Sequence, residues 1–276
     1  MISEAGALAG KTILVTGGSM GIGFACATAC RAAGANVVLA ARGAAVLAES
    51  AARLAQLKGS GYVETVAGDV GEEADVEEFF ARAIARFDRC DGVIHAAGVM
   101  GPVGSITDVD SNAWLETIRI NLFGTFLITR VAARHMRAAG GGRIVLFSGG
   151  GASTPFPDHT AYACSKVAVV RFTETVAKEL APLVEINCLG PGLVATRLAL
   201  DAQSSAEKLR GAVSPEVGAS AALFLVSDAA KGITGRFVAA QYDDYRSWKS
   251  RGVPLDDGDL FTLRRVVPRD RNLDWQ

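Results

Sequence analysis

Charge of one sign is what this sequence lacks most plainly: 28 lysines and arginines are matched by 29 aspartates and glutamates, interspersed along the chain. A formal net charge of −1 leaves no broad basic surface for a phosphate backbone, so nucleic acid is not an expected partner. Cysteine is scarce and odd in number. The scatter of Cys26, Cys30, Cys90, Cys164 and Cys188 argues against a disulfide framework and for a reducing compartment, the cytoplasm being the simplest. Cys26 and Cys30 would share one helical face, but no nearby histidine or second cysteine pair completes a metal site, so both read as small buried apolar side chains. Long hydrophobic runs are missing too. Residues 1–11 show no basic cluster followed by an apolar core, and no later run nears the roughly 20 residues that span a bilayer, so neither export nor membrane insertion is expected.

What is present is apolar bulk and glycine: half of the 276 residues are hydrophobic and 31 are glycine, with no repeat, low-complexity tract or linker. One domain over residues 1–276 is expected. Short apolar runs bounded by glycine alternate with longer amphipathic stretches, the pattern of parallel strands joined by crossover helices. Strands are predicted at Thr12–Thr16, Asn36–Ala41, Gly61–Ala67, Asp91–His95, Arg143–Ser148, Glu185–Leu189 and Arg236–Ala240. Helices are predicted at Gly21–Ala33, Ala44–Leu57, Glu72–Phe87, Ser111–Ala138, Thr160–Leu180 and Pro215–Ser227. The fold class is therefore α/β, a Rossmann-like, doubly wound parallel sheet of about seven strands flanked by helices. In such a sheet ligands lie beyond the carboxyl ends of the strands, which directs attention to the loops there. Residues 241–276 change character and read as an atypical tail, with Tyr242, Tyr245 and Trp248 among arginines and acids.

The first of those loops, Thr16-Gly17-Gly18-Ser19-Met20-Gly21-Ile22-Gly23, follows an apolar strand and opens a helix. Gly17 permits a tight turn, Gly21 lets the backbone approach a pyrophosphate, and Gly23 lets helix and strand pack closely, while the helix N-terminus presents amide hydrogens to an anion. A ligand-free βα connection is the bland alternative for this motif alone.

Tyr162-Ala163-Cys164-Ser165-Lys166 begins a long amphipathic helix, and four residues is about one turn, so phenol and ammonium emerge on one face. A cation beside the phenol would lower its pKa from about 10 toward neutrality and fit it for proton transfer with a carbonyl or an alcohol. Such a pair is ordinarily a solvated helix face, and the rest of the chain decides otherwise. With the glycine turn, Asp69-Val70, Ala96-Ala97-Gly98, Asn121 and Pro191-Gly192, the sequence resembles the short-chain dehydrogenase/reductase family over about residues 8 to 240.

That resemblance implies an NAD(P)(H)-dependent oxidoreductase interconverting a ketone and a secondary alcohol. It implies Tyr162 as general acid/base and Lys166 as the residue that holds the nicotinamide ribose and lowers the tyrosine pKa. Asn121 would shape the long central helix and anchor a water leading to the lysine. The turn residues Gly17, Ser19, Met20, Gly21, Ile22 and Gly23 would hold the pyrophosphate, Asp69 and Val70 would contact adenine, and Ala96, Ala97 and Gly98 would form the next loop of the site. Pro191, Gly192, Val194 and Thr196 would line the nicotinamide carboxamide.

The pattern breaks in three places. Family members usually carry a serine about thirteen residues before the tyrosine, a register that here falls on Gly149. Ser148 is the expected stand-in if the three glycines after it let the loop shift, against a strand-end serine that only bonds backbone, with Ser153 and Thr154 as weaker candidates. His95 replaces a more usual asparagine and reads as a packed strand-end residue. The usual Val-Asp-Gly-Gly near the last strand is replaced by Ala239-Ala240-Gln241-Tyr242-Asp243-Asp244.

Ala41 stands where an acid would hold the ribose hydroxyls of NAD, and Arg42 follows. A guanidinium pairs with a 2′-phosphate, so NADP(H) is the preferred cofactor and NAD(H) the second choice. Substrate choice is assigned to residues 191–214, where Arg197, Asp201, Gln203, Ser204 and Ser205 suit a hydroxylated compound and Leu193, Leu198 and Leu200 an apolar one. Val167, Val170, Phe172, Val176 and Leu180 give the Tyr162 helix ample apolar surface, and with the resemblance they point to a homodimer or homotetramer. The competing reading is an NAD(P)-binding sensor or scaffold with weak or lost redox activity, motivated by Gly149 and the altered last strand. A lyase or epimerase using the cofactor transiently has no direct support.

Overall fold

The first strand, β1 (Thr12–Thr16), is buried along its whole length, as an apolar run must be when helices cover both faces of a parallel sheet. In this computed structural model all residues are described except 1–5, 58–60, 197–210, 256–257, 267–269 and 271–276. The chain continues through α1 (Gly21–Ala32), β2 (Asn36–Ala41), α2 (Ala44–Ala55), β3 (Val63–Ala67), α3 (Glu73–Phe87) and β4 (Gly92–His95). It then forms α4 (Ser111–Ile118), α5 (Gly124–Ala138), β5 (Gly142–Phe147), α6 (Thr160–Leu180), β6 (Val184–Gly190), α7 (Pro215–Val226) and β7 (Phe237–Ala239). All seven strands lie parallel in the order β3-β2-β1-β4-β5-β6-β7, the doubly wound sheet expected from the alternating pattern.

Because side chains alternate along a strand, each strand feeds two cores. Ile13, Val15, Val37 and Leu39 pack with α1, α2 and α7 on one face, whereas Leu14, Val38, Ala40 and Val93 pack with α3, α5 and α6 on the other. The switch point between β1 and β4 opens a crevice at the carboxyl ends of the strands.

The predicted helix Ser111–Ala138 is continuous but not regular. Asp110 caps its start by accepting from the Ala113 N–H at 2.8 Å, and residues Arg119–Phe123 widen into a π-helical turn between α4 and α5. Strands β1 and β2 and helix α6 keep their predicted limits, and the other elements shift at their ends by one or two residues.

The described part of the tail is built into the fold. The Phe237 N–H of edge strand β7 donates to the Phe261 carbonyl at 2.7 Å. The Arg236 guanidinium, nearly buried, donates to the carbonyls of Gly258 and Leu260 at 2.8 Å each and to that of Leu255. Tyr245 packs on Phe224 of α7, and Trp248 stacks on Phe261 with ring centres 4.0 Å apart. Tyr245 and Trp248 are thus packing anchors, while Tyr242 projects into solvent at the rim of the crevice. Among the described residues no helix is long and apolar enough to cross a membrane.

Candidate active site

Glycine geometry shapes the floor of the crevice. Gly17 sits at φ +65°, and a Cβ on it would lie 2.8 Å from the Ala97 nitrogen; a Cβ on Gly23 would lie 2.2 Å from the Gly17 carbonyl oxygen. Any side chain at either place would force the turn apart. Met20 stands at the N-cap of α1 and has no group to cap it, so no side chain at the cap accepts from the first amides of that helix, whose residues Gly21, Ile22 and Gly23 line the crevice. The site spans about 1390 Å³. Typical small-molecule sites hold roughly 300–1,000 Å³, so it has room for a dinucleotide and a small second compound.

Every residue expected at the dinucleotide lines this one crevice: Gly17 and Ser19 to Gly23 of the turn, Arg42, Asp69, Val70, Ala96, Ala97, Gly98, Tyr162, Lys166, Pro191, Gly192, Val194 and Thr196. Arg42 is exposed at its mouth, and no hydrogen bond or close ion pair engages it among the described residues. Asp69 is more constrained. Burial alone would raise its carboxyl, but the Gly71 N–H at 2.8 Å and the Arg119 guanidinium at 3.1 Å together hold it below the usual carboxylate range. Arg119, which sequence reasoning missed, also binds Glu72 and Glu116 and so ties the start of the π turn to the Asp69 loop. Its only signal in the sequence is its place two residues before Asn121.

Asn121 stands behind the crevice in the π turn, and both ends of its amide are engaged. Oδ1 accepts from the Val99 N–H at 2.8 Å, while Nδ2 donates to the Val99 carbonyl at 2.9 Å and to Ser165 Oγ at 3.0 Å. Ser165 in turn donates to the Tyr162 carbonyl at 2.7 Å, so the loop after β4 is fastened to the first turn of α6. Ser165 was also missed, although its position between Tyr162 and Lys166 is the available clue.

Tyr162 and Lys166 are both buried in the wall, one helical turn apart. Lys166 Nζ donates to the Phe147 carbonyl at 3.0 Å and lies 5.6 Å from the centre of the Tyr162 ring. A Cβ on Gly98 would stand 3.2 Å from Asn121 Oδ1 and 3.5 Å from Lys166 Nζ, so this glycine leaves space for both. The expected drop in the tyrosine pKa is not what the geometry gives. Burial pushes the Tyr162 phenol up to about 12 and the Lys166 ammonium down to about 8, because each charged form loses water. His95 is a packed strand-end residue: its Nδ1 bonds Thr16 Oγ1 at 2.7 Å, and burial followed by the Lys166 charge lowers its pKa to about 3.

Ser148 corrects a second expectation. It lines the crevice, but its hydroxyl donates to the Lys166 carbonyl at 2.9 Å, while a Cβ on Gly149 would lie 2.4 Å from Tyr162 Oη. Gly149 is therefore the residue that faces the phenol. The glycines after it do not shift the register, because the Ala152 N–H bonds the Gly149 carbonyl at 3.0 Å and closes a short 3-10 turn. Ser153 and Thr154 donate to the Gly150 carbonyl. Of the substrate loop, Leu193, Val194 and Val213 meet at its base, and the Val213 N–H donates to the Leu193 carbonyl at 2.7 Å. Arg197, Leu198, Leu200, Asp201, Gln203, Ser204 and Ser205 lie outside the described residues.

Residues 11–207 match the family model described as short chain dehydrogenase. The chain belongs to the short-chain dehydrogenase/reductase family. It is 35% identical over 241 residues to the human Dehydrogenase/reductase SDR family member 4, covering 84% of this chain and 86% of that protein. It is 35% identical over 243 residues to the D-threitol dehydrogenase of Mycolicibacterium smegmatis, covering 83% and 90%. Among solved structures, a short-chain type dehydrogenase/reductase from Mycobacterium ulcerans superposes with a TM-score of 0.81 at 32% identity, covering 91% of this chain and 97% of that one. This short-chain dehydrogenase/reductase is accordingly an NAD(P)-dependent oxidoreductase acting on CH–OH and C=O groups of small molecules. The glycine floor, the α1 terminus without a side-chain cap and the volume of the crevice fit a dinucleotide.

Proposed function

We propose that this enzyme interconverts a ketone and a secondary alcohol, with Tyr162 as the general acid/base and NADP(H) preferred over NAD(H). The observation that carries the reading is the placement of Tyr162 and Lys166, both buried in one crevice wall a helical turn apart, beside a floor shaped for a pyrophosphate. Bound nicotinamide supplies or accepts the hydride. Tyr162 gives its proton to the carbonyl oxygen or takes one from the alcohol. With its pKa pushed to about 12 the phenol keeps its proton at neutral pH, so the form that can donate in the reductive direction is the one populated. Lys166 holds the ribose from its seat on Phe147, and Asn121 positions the first turn of α6 through Val99 and Ser165. Gly17, Ser19, Met20, Gly21, Ile22 and Gly23 seat the pyrophosphate, Asp69 and Val70 the adenine, Ala96, Ala97 and Gly98 the facing edge, and Pro191, Gly192, Val194 and Thr196 the carboxamide. Arg42, with no close partner, receives a 2′-phosphate.

Replacing Tyr162 with Phe is the test: loss of ketone reduction with dinucleotide binding retained supports the assignment, and unchanged turnover defeats it. Cytoplasmic residence fits five free cysteines. Assembly as a homodimer or homotetramer rests on less of α6 than its sequence suggests. Val170 and Leu180 face the enzyme's own sheet and Phe172 and Val176 pack against the same core, which leaves only Val167 of that set exposed. Outward-facing Leu115, Phe123 and Phe126 on the neighbouring helix are the larger apolar surface.

A further inference from the structure

An oxygen that exchanges a proton with Tyr162 lies about 2.6–3.2 Å from its Oη. Its neighbour on the wall is Gly149, since a Cβ there would stand 2.4 Å from that same Oη. No side chain projects from Gly149, Gly150 or Gly151, and a Cβ on Gly150 would meet nothing within 4 Å, so the wall opens onto free crevice. The hydroxyls nearby are engaged elsewhere. Ser148 donates to the Lys166 carbonyl at 2.9 Å, and Ser153 and Thr154 donate to the Gly150 carbonyl at 3.3 and 3.2 Å. Lys166 Nζ is directed at Phe147, and the Asn121 amide is held by Val99 and Ser165. Among the described residues, Tyr162 thus carries the one hydroxyl of this wall that bonds no other group of the chain, the remaining Lys166 hydrogens being assigned to the ribose. Removing one of the donors that serve a developing oxyanion ordinarily costs roughly 10²–10³ in rate.

We propose that the substrate brings the second donor itself: the enzyme acts on ketones with a hydroxyl on the adjacent carbon, and on the vicinal diols that result from their reduction. This rests on the ketone–alcohol reading and names the substrate class for it. As the carbonyl carbon is reduced, the C=O π pair moves onto oxygen, which takes the Tyr162 proton. The neighbouring hydroxyl keeps its own proton throughout and donates a hydrogen bond to the developing alkoxide above the bare glycine wall. No bond of that hydroxyl forms or breaks.

The test uses the full chain with saturating NADPH and two matched sets of ketones: acetoin, its methyl ether and butanone, then 2-hydroxycyclohexanone, its methyl ether and cyclohexanone. The ether keeps the electron-withdrawing oxygen and has no hydrogen to give. Hydroxy ketones should exceed their ethers by about 10², mainly in kcat, because the bond strengthens in the transition state. Gly149→Ser should shrink that ratio by installing a protein donor, and Gly149→Ala should not. If the serine variant fails to fold around the phenol, the comparison on the unaltered chain still decides. Ethers or plain ketones reduced as fast as hydroxy ketones would overturn the substrate class and leave the ketone–alcohol reading standing. Failure of every ketone offered would overturn both.

Discussion

Lys166 Nζ donates to the Phe147 carbonyl oxygen across 3.0 Å, joining the first half of α6 to the last residue of β5. One hydrogen bond to a neutral carbonyl does not replace the hydration of an ammonium, and burial lowers its pKa from 10.5 to about 8. A folded-state value below the unfolded one means that the charged lysine weakens the fold at neutral pH. Between about 8 and 10.5 the unfolded chain binds a proton that the folded chain has lost, so this cost fades as pH rises through that window. Lys166→Met should therefore melt higher than the parent at pH 7, with the gap closing by pH 10, even as turnover is lost. Melting curves across that range check the sign.

Tyr162 titrates the other way. With its pKa pushed up to about 12 by burial, the phenol stays protonated near neutrality, and the phenolate that alcohol oxidation needs is scarce there and grows with pH. Ketone reduction should hold steady from pH 6 to 8, and alcohol oxidation should climb as pH rises above 7. Initial rates in both directions test this, and an oxidation optimum near neutrality would contradict it.

Ser148→Ala separates a structural hydroxyl from a reacting one. Losing a buried bond to the Lys166 carbonyl should lower stability by about 1 kcal/mol and leave kcat within about twofold. A fall of about 10²–10³ in kcat would instead make Ser148 an oxyanion donor.

Arg42→Ala should weaken NADPH binding by about tenfold or more and leave NADH binding nearly unchanged, because a guanidinium finds its two-pronged match only on the 2′-phosphate. Fluorescence titration of both dinucleotides measures the difference. Equal losses would remove Arg42 from cofactor choice.

The tail offers a stability test away from the crevice. Trp248 is nearly buried and stacked on Phe261, so Trp248→Ala should cost about 3–5 kcal/mol in urea unfolding. A change below about 1 kcal/mol would mean that the segment after β7 adds little to the core.

The strands were legible because burial on both faces turns them into unbroken apolar runs, and α6 because its apolar spacing persists for 21 residues. The residues grouped in the crevice were legible because glycine and Tyr-x-x-x-Lys are written in local spacing. Ser148 was misread for a reason that also lies in geometry: successive residues of an extended segment point to opposite sides, so Gly149 facing the phenol turns Ser148 away. The tyrosine pKa depends on how deeply the wall closes over it, and burial depth is a property of the whole fold. The π turn and the Arg119 cluster stayed hidden because each depends on groups that folding alone brings together, such as Arg119 and Asp69 fifty positions apart in sequence.

The widened turn at Arg119–Phe123 also acts as a rotational offset. One surplus residue in a helix swings everything beyond it by about 100°. Leu127, Ile128 and Val131 point at the sheet on the far side of that swing, and Asn121 bonds Val99 from within it. Excising a single position from this stretch to restore an even spiral would turn the greasy side of α5 outward, so the irregularity that seats one amide also sets the facing of half a helix.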